Sequence, residues 1–116
     1  MRVALHSVLR PGTELDYDRE HERIPADLVA SFARVGIHEW TIWRAGDRLF
    51  HLVECDDFDA AMRGLDGDPA NERWQASINR FVDHFIADGN SDDGDGSPAA
   101  LPEVWDLTRQ KRTATT

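Results

Sequence analysis

Along the chain the apolar positions first cluster in Val3 to Leu9, a short run stopped by Arg10-Pro11-Gly12, which predicts a strand followed by a turn. Thr13 stands three residues before Asp16, an approximate capping arrangement, and a helix is expected from about Glu14. Its inward face is marked by Tyr17 and His21 at a spacing of four, then by Leu28 and Phe32 at the same spacing, with Gly36 as the stop. Pro25 interrupts that pattern, since a proline removes one helical hydrogen bond, so a kink or break is predicted with Pro25 in the first turn of a second segment.

From Ile37 to Arg44 and again from Arg48 to Cys55 the residues are mostly β-branched, aromatic or aliphatic, and Ala45-Gly46-Asp47 between them predicts a hairpin. A loop of two or four residues sets the face of His38, Trp40 and Ile42 against that of Leu49, His51 and Val53. A three-residue loop would need a bulge to do the same. Asp57 to Leu65 reads as a short helix. A longer one is predicted from Ala70 into Phe85, because Trp74, Ile78, Phe81, Val82 and Phe85 recur at spacings of three and four. Residues 88–100 are an acidic stretch with too little apolar surface to offset the entropy of ordering, and a flexible loop is expected. Leu101 to Leu107 alternates and predicts a last strand, and residues 109–116 form a polar tail. No internal repeat is visible.

The order strand, helix, strand, strand, helices, strand is that of a ferredoxin-like α+β domain: a four-stranded antiparallel sheet with helices on one face, formed by residues 1–87 and 101–108. Such a sheet leaves its other face uncovered. Trp40, Trp43 and the neighbouring aliphatics are too apolar for both sides of that strand to face water, so a second subunit or a bound ligand is expected to cover the open face, a homodimer of the dimeric α+β barrel type being the simplest cover.

With 116 residues there is room for one domain, and the net charge of -9 makes nucleic acid and anionic membranes poor partners. Cys55 is alone and lies in an apolar run, which predicts a buried thiol with no internal disulfide. With no signal-like or membrane-spanning stretch, the expected compartment is the cytoplasm. Asp88-x-Asn90-x-Asp92 spaces oxygen ligands as a calcium loop does, but Asp93 stands where that loop needs glycine and Ala99 where it needs glutamate. His6, His38 and His51 fall in separate strands without metal-ligand spacing, and His84 reads as a surface residue. No serine lies in a nucleophile elbow, and no glycine pattern supports a phosphate or dinucleotide site. What remains is Tyr17 and His21 on one helix face, a phenol and an imidazole within reach of one small ligand. By spacing alone, such a pair is more often a packing contact than a site.

Tyr17-x-x-x-His21-x-x-Ile24-Pro25, the Gly36-Ile37-His38-Glu39-Trp40-Thr41-Ile42-Trp43 strand, the Asn71-Glu72-Arg73-Trp74 helix start and Glu103-Val104-Trp105, in that order, resemble the L-rhamnose mutarotase family over nearly the whole chain. The resemblance implies a ferredoxin-like protein that dimerises through its sheets, needs no metal or organic cofactor, and exchanges the anomers of L-rhamnose or a related deoxyhexose such as L-fucose. His21 matches the family's acid/base histidine and Tyr17 its sugar-contacting tyrosine. Trp40 stands where a strand aromatic, usually tyrosine, is found, and Trp74 matches the first of two consecutive tryptophans, the second being Gln75 here. These departures bear on hydrogen bonding and stacking around the sugar. Two other readings come from fold and surface: a cofactor-free monooxygenase-like barrel, and a sugar-binding or assembly module without catalysis.

Overall fold

Strict alternation in Arg2–Leu9 (β1) buries Val3, Leu5, Ser7 and Leu9 on one side and turns Arg2, Ala4 and His6 to the other. This strand is central in the computed structural model, which describes residues 1–86 and 98–114. Two helices follow, Glu14–Glu20 (α1) and Ala26–Arg34 (α2), then the strands Ile37–Ala45 (β2) and Arg48–Cys55 (β3), and the helices Phe58–Leu65 (α3) and Pro69–Ile78 (α4). A short strand, Val82–Phe85 (β4), and a helix, Leu107–Ala114 (α5), complete the order. The sheet is antiparallel throughout, with strand order β2-β3-β1-β4. The ferredoxin-like architecture with helices on one face is therefore the one formed.

The hairpin has a two-residue loop, Ala45 pairing with Arg48, and Gly46 takes φ +61 at its first central position, where a side chain would be strained. Trp40 and Ile42 consequently share the face of Leu49, His51 and Val53, as the alternation predicts. His38 does not, because the register shifts between Ile37 and Glu39. The bulge leaves Ile37 buried and places His38 2.7 Å from Asp56 at the surface.

Pro25 does break the helix, standing at the N-cap of α2 with φ -59 and ψ 143, just before the first turn rather than within it. Thr13 does not cap α1. Its backbone, at φ -102 and ψ 5, is not extended, and its hydroxyl instead reaches the Arg10 and Phe81 carbonyls at 2.8 and 3.2 Å.

Two expectations for the C-terminal part are corrected. The helix predicted to run into Phe85 ends at Ile78, and Val82–Phe85 pairs with the free edge of β1, Ser7 opposite Phe85 and Leu9 opposite Val82. Strand pairing satisfies a row of β1 backbone groups that a continued helix would leave open, which overrides the helical spacing. His84, exposed as expected, is thus on a strand, opposite Val8. The strand expected over Leu101–Leu107 does not form. Leu101 makes one backbone bond to the Ala4 carbonyl, 2.9 Å, and beyond it Val104 and Trp105 are exposed, so the alternation buries nothing. Leu107–Ala114, where a polar tail was expected, is helical and capped by Asp106, which accepts from the Arg109 amide at 3.0 Å. The acidic loop expected at 88–100 and its calcium spacing fall largely outside the described residues.

The helix side of the sheet holds two packing clusters. One joins Val3, Leu5, Val53 and Cys55 to Phe58, Ala61 and Leu65, with Phe32 and Trp40 against it. The other joins Leu9 and Leu49 to Tyr17, Ile78 and Phe81, with Ile42 and Trp74 against it. Ser7 and His51, both buried and polar, lie between them on the sheet. On the opposite face His6 stacks on Phe50 at 4.7 Å, Phe50 is 42% exposed and Trp43 55%.

Candidate active site

His21 ends α1 as its C-cap residue, and helix geometry carries Tyr17 one turn behind it, so the two rings lie 4.1 Å apart. The Trp74 ring, from α4, also meets His21, in a T-shaped contact at 5.0 Å and 80°. Three rings from two helices are thereby brought together, as the spacing in the sequence allowed for the first two.

The position of α1 is fixed by ion pairs to both neighbours. Arg44 on β2 holds Asp18 with two bonds of 2.8 and 2.7 Å and bonds the Gly46 carbonyl at 2.9 Å. Such a bidentate fork fixes direction as well as distance. Glu20 faces α4, accepting from Ser77 at 3.4 Å and lying 3.7 Å from Arg80. The start of α4 is set by Asp68, which caps it through the Asn71 amide and takes bonds from Ser31 and Arg34 of α2. The Asn71 amide leads the interactions that hold the Asp68 carboxyl below its ordinary range.

The electrostatics of His21 follow from its half-buried position. Desolvation, which penalises the imidazolium, lowers its pKa below 6.5, with the Tyr17 carbonyl, Glu20 and Asp18 opposing. Its Nδ1 lies 3.1 Å from the Tyr17 carbonyl oxygen. A carbonyl only accepts, so Nδ1 carries the proton and Nε2 is left as the basic nitrogen of the neutral ring. Tyr17 is 4% exposed, and burial together with the Asp18 charge raises its pKa. The phenol stays protonated through the physiological range and can act only as a hydrogen-bonding group.

Trp40 approaches from the sheet, stacked on Phe32 at 5.5 Å, with its Nε1 donating to His51 Nδ1 at 3.1 Å. It packs against the first cluster, whereas Tyr17 and Trp74 belong with the second, Ser7 and His51 lying between the two on the sheet. Burial lowers the His51 pKa to about 4, with smaller contributions from His21 and His6. Gln75 is exposed, one position on from Trp74 and about 100° around the helix, and the ring cluster does not include it. His51, Ser7 and the Arg44–Asp18 fork were not singled out as site residues from the sequence. The inward register of β3 was the available signal for His51; nothing in the sequence tied Arg44 to Asp18.

Among the described residues no group of three or more His, Cys, Asp or Glu could hold a metal ion. His6 and His51 point to opposite faces of the sheet and His38 lies at the bulge, so the histidines do not converge. Cys55 is buried and its pKa is raised by that burial, the state of an inert thiol. A depression of about 680 Å³ lined by Met1, Arg2, His38, Asp56, Asp106 and Arg109 contains none of the candidate site residues.

Fold and site together define a ferredoxin-like α+β domain with a neutral, half-buried histidine between aromatic walls. Over residues 2–107 the sequence matches the profile of the L-rhamnose mutarotase family. It is 30% identical to the L-rhamnose mutarotase of Burkholderia ambifaria over 104 residues, 88% of this chain and 91% of that one. With the L-fucose mutarotase of Xanthomonas campestris pv. campestris it shares 37% identity over 70 residues, about half (56%) of either chain. The crystal structure of an L-rhamnose mutarotase from Formosa agariphila superposes with a TM-score of 0.70 at 17% identity, covering 92% of this chain and 98% of that one. The tetracenomycin F2 cyclase of Streptomyces glaucescens shares the fold at a TM-score of 0.58 and 17% identity, covering 92% of this chain and 98% of that one. This chain belongs to the L-rhamnose mutarotase family.

Proposed function

We propose that this protein is an isomerase that interconverts the α and β anomers of L-rhamnose, or of a related deoxyhexose such as L-fucose, with His21 as general acid/base. The observation that carries the reading is the state of His21: Nδ1 is engaged by the Tyr17 carbonyl, Nε2 remains basic, and partial burial holds the ring neutral near physiological pH. Membership of the family and the names of its relatives supply the substrate class.

Anomers exchange by opening the ring. His21 Nε2 removes the anomeric hydroxyl proton, the bond from C1 to the ring oxygen breaks as C1 becomes the aldehyde carbon, and the protonated Nε2 delivers that same proton to the ring oxygen, which becomes a hydroxyl. The C1–C2 bond then turns and the aldehyde is attacked on its other face by the reverse transfers. Protons balance over the cycle, and one group of near-neutral pKa can serve both directions. Tyr17 backs the imidazole and offers a protonated phenol, while Trp40 and Trp74 present apolar surface to the C–H side and methyl group of the sugar. Gln75 offers an exposed amide beside Trp74.

The assembly and setting belong to the same reading. Exposed Trp43 and Phe50 on the uncovered sheet face favour a homodimer closed through the sheets. No described helix is long and apolar enough to cross a membrane, and a lone, unpaired, buried thiol suits the cytoplasm. Residues 1–87 with 101–108 would form the catalytic domain. The test is magnetisation-transfer NMR on L-rhamnose and L-fucose. Wild-type protein should accelerate exchange and His21→Ala should lose roughly 10²–10⁴-fold of it; an unaccelerated rate with both sugars, or full activity in the variant, refutes the assignment.

A further inference from the structure

The strip between the two packing clusters is polar where core would be expected. Ser7 is fully buried and His51 is 5% exposed, and both lie on the helix side of the sheet. Buried polar groups are costly unless bonded, so their presence at the centre of a sheet calls for a reason. Each has a partner in the other, Ser7 Oγ standing 3.0 Å from His51 Nε2, and the remaining ring nitrogen accepts from Trp40 Nε1 at 3.1 Å.

These bonds fix the state of the ring. An indole nitrogen can only donate, so His51 Nδ1 must be the acceptor, Nε2 carries the proton, and Ser7 Oγ accepts it. A second proton on His51 would set an N–H against the Trp40 N–H, so the ring is locked neutral in one tautomer. It cannot share proton transfer with His21. Its effect falls on Trp40: the indole's one polar atom is bonded to His51 and Phe32 stacks on the ring, while the residue stays partly exposed.

We propose that His51 is a positioning residue that, through Trp40 Nε1, sets the indole as a rigid, donor-free wall for the sugar, with Ser7 selecting the tautomer that permits it. The proposal rests on the mutarotase reading. Trp40 so held binds the substrate equally in ground and transition states, and its loss should therefore appear in KM rather than kcat.

The experiment measures anomeric exchange as a function of sugar concentration alongside the Trp40 indole N–H resonance in ¹⁵N-labelled protein, assigned with Trp40→Phe. His51→Leu removes the acceptor at similar size, and His51→Asn returns an oxygen near the Nδ1 position. The expected result is a wild-type indole proton protected from solvent exchange, its release in His51→Leu with KM raised on the order of tenfold and kcat within about twofold, and recovery of both in His51→Asn. Should His51→Leu fail to fold, Trp40→Phe and Ser7→Ala carry the same KM test. Unchanged KM with a released indole overturns the positioning role while leaving the mutarotase reading intact. Absence of exchange in the wild type overturns the mutarotase reading, and with it the sugar-facing part of this proposal, whereas the indole signal still reports whether His51 holds Trp40.

Discussion

Replacing His51 by Asn should remove a large part of the acid sensitivity of folding. In the folded protein burial lowers the His51 pKa to about 4, with smaller contributions from His21 and His6, against 6.5 for an unperturbed side chain. Well above pH 6.5 the ring is neutral in both states and titration contributes nothing. As the pH falls below 6.5 the unfolded chain binds a proton that the folded chain refuses until near pH 4, so protonation favours unfolding across that window. The full difference corresponds to about 3 kcal/mol. Between pH 7 and pH 5 alone the two titration curves predict a loss of about 2 kcal/mol, a sizeable share of the stability of a domain this small. Urea unfolding of wild type and His51→Asn at both pH values measures it: the variant keeps an acceptor for Trp40 but cannot titrate, so its stability should fall by about 2 kcal/mol less over the same interval. His21 and the carboxylates titrate in both proteins and cancel in the comparison. Equal pH dependence in the two would refute the burial and neutrality assigned to His51.

Three further outcomes are expected. On the proposed role of neutral His21 as the base, and with its pKa below 6.5, kcat/KM for anomeric exchange should be flat at neutral pH and fall only below 6.5, with no loss on the alkaline side up to pH 9 from Tyr17; a profile falling from pH 7.5 downward would contradict the depressed value. Arg44→Lys loses the fork that holds Asp18 and should lower kcat several-fold with little change in Tm, since a point charge keeps attraction but not direction; Michaelis kinetics with a thermal melt separates the two. Phe50→Glu puts a charge in the middle of the uncovered sheet face and should convert a dimer to monomer by light scattering, whereas an unchanged mass would place any interface elsewhere.

The central strands and the first helices were legible because their patterns are local. Alternation in β1 and β3, the Gly46 turn and the Pro25 interruption each rest on a few adjacent residues, with only the loop length and the choice of kink or break left to the fold. Errors arose where a partner distant in sequence decided. Val82 and Phe85 continue a helical stripe from Trp74 and Ile78, and only the unpaired edge of β1 makes them a strand. Leu101 to Leu107 alternates too, but after the one bond from Leu101 to Ala4 its Val104 and Trp105 stay exposed, so no strand follows. Within the candidate site the sequence placed Tyr17 beside His21 and set Trp40 on the face of His51. It could not place Arg44 against Asp18, a contact across 26 residues, or the Trp74 ring against His21.

The location of the candidate site also has a physical reason. A histidine serving as a base at neutral pH gains from partial desolvation, yet its basic nitrogen must remain reachable. Neither a continuous core nor the open sheet face meets both needs: the first would seal the ring, and the second would leave it solvated with an ordinary pKa. On this sheet the helices form two packing clusters rather than one, and the strip between them is occupied by Ser7 and His51, with Trp40 on one side and Tyr17 and Trp74 on the other. His21, at the end of a seven-residue helix, reaches this boundary because Pro25 begins a new helix instead of extending the old one. A substitution that lets α1 run on into α2 would carry His21 into the helix interior, and activity should then fall even though every ring of the site is still present.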